Sequence, residues 1–166
     1  MLSKYQKNLI ILIVGILICG CQVEVVSTYT RFYLTDDEIK QLELKAHDGD
    51  LTAARRLADF YTFIDYDNRT ERLKWLRLLA ESGFAHDKHN LAHELLDSER
   101  IKDQQEGIVW LRKAAESGIS YSQKRLAEMY ETGNVVEEDY CKSKYWYEIV
   151  AYRGEIFSMI KLAEFY

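Results

Sequence analysis

From Leu51 onward, apolar residues return at helical intervals in blocks that end in glycine. Ala53, Leu57, Ala58 and Tyr61 fall on one face of a helix. Trp75, Leu76, Leu79 and Ala80 make a second such face, and it ends at Gly83. Glycine suits the left-handed residue that closes a helix. The pattern then recurs. Glycines stand at 49, 83, 118 and 154, separated by 34, 35 and 36 residues. Ala46, Ala80, Ala115 and Ala151 each precede one of them by three positions. Leu57-Ala58, Leu91-Ala92, Leu126-Ala127 and Leu162-Ala163 begin eight positions after them, and four beyond each leucine come Tyr61, Leu95, Tyr130 and Tyr166. Trp75, Trp110 and Trp146 stand eight positions before Gly83, Gly118 and Gly154. Columns in register over four units mark a repeat array.

One unit is a pair of helices, and no pair can bury its apolar face alone, so the array is expected to fold by stacking. The alanines let helices approach closely, and the tryptophans and tyrosines are expected to fill the space between neighbouring pairs. At roughly 150–250 Å² buried per aromatic ring, those columns would dominate the packing energy. Composition agrees with an all-α reading. The 166 residues are 48% apolar and 30% charged and include no proline, where average usage gives about eight. The repeat spacing predicts units at about 50–83, 84–118 and 119–154, with a partial unit at 155–166. Thr35-Asp-Asp-Glu38 has the form of a capping box opening the first helix, which carries Gln41 where other units carry tryptophan.

The stretch Tyr130-Glu-Thr-Gly133-Asn-Val-Val136-Glu-Glu-Asp139, followed by Lys142, Trp146-Tyr147, Ala151 and Gly154, resembles the Sel1-like repeat, a relative of the tetratricopeptide repeat with a slightly longer period. The resemblance spans residues 36 to 166 and implies a short right-handed α-solenoid. Two departures stand out. The first two units lack the loop glycine that Gly133 supplies, so their turns should differ. Asp87 stands where Ala53, Ser122 and Ser158 place a small residue.

The first twenty residues read as an address. Lys4 and Lys7 precede an apolar run, Leu9 to Ile18, too short for a spanning helix and well proportioned for a secretory signal. Ile18-Cys19-Gly20-Cys21 resembles a bacterial lipobox, which implies a signal peptide at 1–20 and lipidation of Cys21. Residues 21–34 would then tether a repeat domain at 35–166, docking on it through Phe32 and Tyr33. Stable anchoring through acyl chains would follow. The expected location is the bacterial envelope, on the outer membrane facing the periplasm, since Gln22 rather than Asp follows the cysteine. The mature chain would carry 20 basic and 27 acidic residues, a charge of −7. With Cys21 acylated, Cys141 has no cysteine left to pair with.

Catalytic motifs are lacking. Gly118-Ile-Ser120-Tyr-Ser122 has serine where a nucleophile elbow needs glycine, and no phosphate-cradling glycine loop is present. No cofactor, small-molecule substrate or enzymatic activity is expected. An acidic chain without clustered Lys and Arg argues against nucleic acid. His86, His89 and His93 share a helix face, and His89 and His93 have a workable chelating interval, but two ligands do not complete a metal site. The same positions in neighbouring units are Arg55 and Asp59, then Lys124 and Glu128. In tetratricopeptide-type arrays the first helix of each pair lines the concave surface. By that analogy Arg55, Asp59, His86, His89, His93, Tyr121, Lys124 and Glu128 form a partner-binding face, continued by Phe157 and Ile160. A surface mixing charge, histidine and aromatic groups is of the kind that binds protein.

Sel1-like proteins are generally adaptors, so the resemblance implies a non-catalytic protein binder. Some lipoproteins of this type are immunity proteins that block phospholipase-like toxins delivered to the periplasm by type VI secretion, and that is the most concrete expectation here. The alternative is an adaptor or scaffold for envelope assembly or signalling. Relatives linked to penicillin binding carry cysteine-paired repeats, which this chain lacks.

Overall fold

The computed structural model describes residues 31–165, so Cys21 and the signal segment lie outside the described residues. Within them the secondary structure is helical throughout. The helices are α1 (Asp36–His47), α2 (Leu51–Phe63), α3 (Arg69–Glu81), α4 (Ala85–Leu96), α5 (Ile101–Glu116), α6 (Ser120–Thr132), α7 (Tyr140–Tyr152) and α8 (Ile156–Glu164). None is long and apolar enough to cross a membrane. The chain divides into two compact units, one ending at Trp75 and the other beginning at Leu76, with the boundary inside α3.

In the first unit α1 packs on α2. The opening helix is fixed by the capping box: Thr35 Oγ1 accepts from the Glu38 amide, and the Glu38 carboxylate accepts the Thr35 amide at 2.8 Å. That reciprocal bond holds the Glu38 carboxyl below its usual range. Asp50 caps α2, its Oδ1 accepting the amides of Thr52 and Ala53 at 2.9 and 3.2 Å. The apolar face read from the sequence is the buried one: Ala53, Leu57, Ala58 and Tyr61 are all core residues. Burial pushes the Tyr61 hydroxyl up to about 12. Just before α1, Leu34 is buried and Phe32 stacks on Phe63 with ring centroids 4.6 Å apart.

In the second unit consecutive helices pack in order, α4 on α5, α5 on α6, α6 on α7 and α7 on α8. Ala92, Leu96, Ile108, Leu111, Ala115, Leu126, Met129 and Tyr130 form a continuous core. The glycine column does what its position requires. Gly83, Gly118 and Gly154 have φ of 100, 92 and 90°, a region costly for any residue with a Cβ.

The tryptophan column is not uniform. Trp75 is fully buried, whereas Trp110 and Trp146 lie half-buried at the edge of the core. The Trp110 ring is shared with polar groups, its Nε1 donating to Glu106 at 3.4 Å and Lys113 sitting 4.0 Å above it, while Trp146 meets Tyr145 edge-on at 5.1 Å. The interior of this unit is filled instead by Leu91, Leu95, Leu111, Leu126 and Tyr147.

The intra-pair turns differ as the missing glycines imply. Residues 97–100 join α4 to α5, while 133–139 join α6 to α7. The longer turn begins at Gly133 (φ 68°) and includes Val135 at φ 66°. In that turn the Asp139 amide donates to the Tyr130 carbonyl at 2.9 Å.

Candidate protein-binding face

The predicted face falls on α2 in the first unit and on α4, α6 and α8 in the second. Every predicted member is at least partly open to solvent. Arg55, His86, His93 and Tyr121 are exposed, and Asp59, His89, Lys124 and Glu128 are half-buried. In the first unit Arg55 and Asp59 lie one turn apart on α2. Burial raises the Asp59 carboxyl, and the positive charges of Arg55, Arg56 and Arg31 pull it back down.

The second unit gathers the rest. His89 anchors the group: its Nδ1 lies 2.9 Å from Ser122 Oγ, its ring meets Tyr121 edge-on at 5.3 Å, and His93 stands 6.3 Å away. Burial, followed by the charges of His93, Arg125 and His86, holds His89 below the ordinary histidine value. His93 Nδ1 pairs with Asp97 at 3.2 Å, and the same carboxylate takes Arg125 at 3.3 Å. Lys124 bridges α6 to α8, lying 3.9 Å from Glu155 and 4.9 Å above the Phe157 ring. His86, Tyr121 and Phe157 therefore stand exposed at the same repeat position on three successive first helices. Tyr121, held against His89, and Phe157, held under Lys124, are open on the other side and suit recognition of a macromolecular surface, since less entropy remains to be lost on binding.

The histidines do not converge on a metal site. Among the described residues no three histidine, cysteine or carboxylate side chains do so. The ring nitrogen of His89 is engaged by a serine that is itself fully buried, which makes this contact a helix-to-helix tie. Asp87 occupies the buried small-residue position flagged in the sequence, is itself 1% exposed, and is not without a partner.

A concavity of about 500 Å³ lies over the α6–α7 turn, lined by Ile108, Arg112, Tyr130, Val136 and Lys142 among others. Sequence reasoning passed over it because its floor belongs to the core columns. It also missed Gly107. A Cβ there would lie 2.8 Å from Leu96 Cγ, so α5 crosses α4 too closely for any side chain. The signal was present: Ser143 occupies the same repeat position and is fully buried.

Comparison with known proteins agrees with this architecture. The family described as Sel1 repeat matches residues 88–119 and 120–155. A Sel1 repeat protein from Oxalobacter formigenes is 28% identical, with a TM-score of 0.60, over 76% of this chain and 98% of that one. The protein c5321, a protective antigen present in uropathogenic Escherichia coli strains and displaying an SLR fold, is 26% identical with a TM-score of 0.57. That match covers 70% of this chain and 26% of the antigen. No curated protein is similar at a significant level. Sel1 repeats mediate protein–protein interaction, and the family is in general a non-catalytic interaction scaffold. The helix pairs, the glycine-closed register and the two matched units show that residues 88–155 carry Sel1 repeats.

Proposed function

We propose that this chain is a non-catalytic envelope lipoprotein that binds another protein through the first-helix face of its second unit. Its most concrete role is that of an immunity protein neutralising a phospholipase-like toxin delivered to the periplasm. The observation that carries the reading is the row His86, Tyr121 and Phe157, exposed on the first helices α4, α6 and α8, with Tyr121 against the His89 ring and Phe157 under Lys124. Aromatic groups at the centre of a partly charged surface are the residue types that dominate protein-binding energy. The lipobox-like Ile18-Cys19-Gly20-Cys21 supports tethering at the membrane, and the formal charge of −5 favours encounter with a basic partner.

The test is capture from intact envelopes. The full-length tagged chain is solubilised with its membrane, purified, and its partners are identified by mass spectrometry. One dominant, stoichiometric toxic effector, with rescue of cells from that toxin by the chain, supports immunity. Several envelope proteins at modest enrichment would replace immunity with the scaffold reading. No enriched protein at all would remove protein binding through this face.

A further inference from the structure

In this acidic chain one face of α2, in the first unit, is locally positive. It is also where the chain enters the unit. Leu34 is buried, Phe32 stacks on Phe63 with ring centroids 4.6 Å apart, and the Arg56 guanidinium donates to the Arg31 carbonyl. Arg56, Asp59 and Phe63 follow one another at helical spacing, so the entering segment lies along a single face of the helix. Arg31 stands 5.5 Å from the centre of the Phe32 ring. Three arginines, Arg55, Arg56 and Arg31, act on the Asp59 carboxylate, while Arg56 is only the weakest influence on Glu38. Arg31 and Arg55 are exposed, and Phe63 is open to 56% of full exposure. The strip is therefore cationic and aromatic in a chain of net charge −5, and it is separate from the second-unit face.

We propose that this strip is a membrane-contact surface, which seats the first unit on anionic phospholipid headgroups. The inference rests on the lipidation of Cys21 proposed above and adds a contact made by the folded protein to the one made by acyl chains. Two observations select a lipid surface as the occupant. The first is chain length. From Cys21 to Arg31 the chain can reach at most about 35 Å, and Arg31 is where it arrives on the strip. An acylated Cys21 thus keeps the arginines near headgroups whose attraction fades over about 8–10 Å in physiological salt. The second is chemistry. A guanidinium matches a phosphate, an aromatic ring settles at headgroup level, and here the two lie side by side. Anionic lipid attracts such a strip although the chain as a whole is negative. Acyl chains already hold the protein on the membrane, so the strip contributes orientation rather than anchorage.

The test uses the full-length chain, purified from membranes and reconstituted in vesicles of phosphatidylethanolamine and phosphatidylglycerol, with a photoreactive phenylalanine replacing Phe63. After irradiation, mass spectrometry reads two separate peptides: the one holding Cys21 for acylation, and the one holding residue 63 for a phospholipid adduct. Both modifications are expected. Arg31→Glu with Arg55→Glu should cut the adduct about tenfold while leaving the helical circular dichroism unchanged, and vesicles of phosphatidylcholine alone should cut it by a similar factor. Acylated Cys21 without a lipid adduct at 63 overturns the membrane contact and leaves the lipoprotein reading standing. An unmodified Cys21 overturns the lipoprotein reading and the contact with it. A lipid adduct that survives the charge reversal, or an adduct that joins two chains instead, also overturns the contact.

Discussion

His89 Nδ1 lies 2.9 Å from the Oγ of Ser122, and this single bond ties α4 to α6 across one repeat. Ser122 is fully buried and His89 is half-buried, so the bond cannot readily be exchanged for water. Ser122→Ala should therefore destabilise the chain by about 1 kcal/mol, read from denaturant unfolding. An unchanged midpoint would mean that the contact contributes nothing.

The same histidine sets a pH dependence. Burial first, then His93, Arg125 and His86, holds its folded pKa below the ordinary 6.5. Just below pH 6.5 the unfolded chain binds more protons than the folded one, so stability falls as the solution is acidified. The contribution is fully present above 6.5 and is lost as pH drops through the folded value. His89→Gln should flatten the fall in melting temperature between pH 7.5 and pH 5.5. A variant with the wild-type slope would assign the dependence elsewhere.

Val135 sits at φ 66°, where a β-branched side chain is strained. Replacement by glycine relieves about 1–2 kcal/mol of left-handed strain and gives back part of it as unfolded-state entropy. Val135→Gly should raise stability by about 1 kcal/mol, or a melting temperature about 2–4 °C higher. A drop would show that the valine side chain contributes more through packing at the turn than its backbone costs.

The tryptophan column separates two expectations. Leu111 is 1% exposed within the core, while Trp110 next to it is half-buried. Leu111→Ala should cost about 3 kcal/mol and Trp110→Ala about 1–2 kcal/mol, against 3–5 for a fully buried ring. The reverse order would restore the tryptophans as the main source of inter-repeat stability.

In the first unit, Asp50 accepts two amides at the start of α2. Asp50→Ala should cost about 1 kcal/mol, and Asp50→Ser much less. Equal losses in the two variants would show that charge, not capping geometry, is what the position supplies.

Much of this fold was legible because the repeat prints one structural demand several times. Gly83, Gly118 and Gly154 stand in register because each must adopt positive φ, and Leu57, Leu91 and Leu126 because each is fully buried. The capping box at Thr35 was readable for the same reason that it works, two short-range bonds in four residues. What single columns could not show was how far a large ring sinks. Trp75 and Trp110 share a column yet differ in burial, although a lysine lies over each ring; Trp110 alone of the two donates its indole N–H to a carboxylate, Glu106. Gly107 was legible only through Ser143 at the same repeat position, because the equivalent in the first unit is Arg72 and the column is not small throughout. The candidate face could be read as polar positions on first helices. The ties among its side chains, His89 to Ser122 and Lys124 to Phe157, depend on neighbours 33 residues away and carry no local signal.

The central claim is that partner recognition runs through this face, and the most direct measurement is the affinity of the captured partner for a face variant. Full-length chain carrying His86→Ala and Tyr121→Ala changes two exposed side chains and should keep its helical circular dichroism. The account predicts binding weakened by about tenfold or more, as expected for exposed aromatic anchors. Wild-type affinity in a folded double variant would contradict it and move the interface off the first helices.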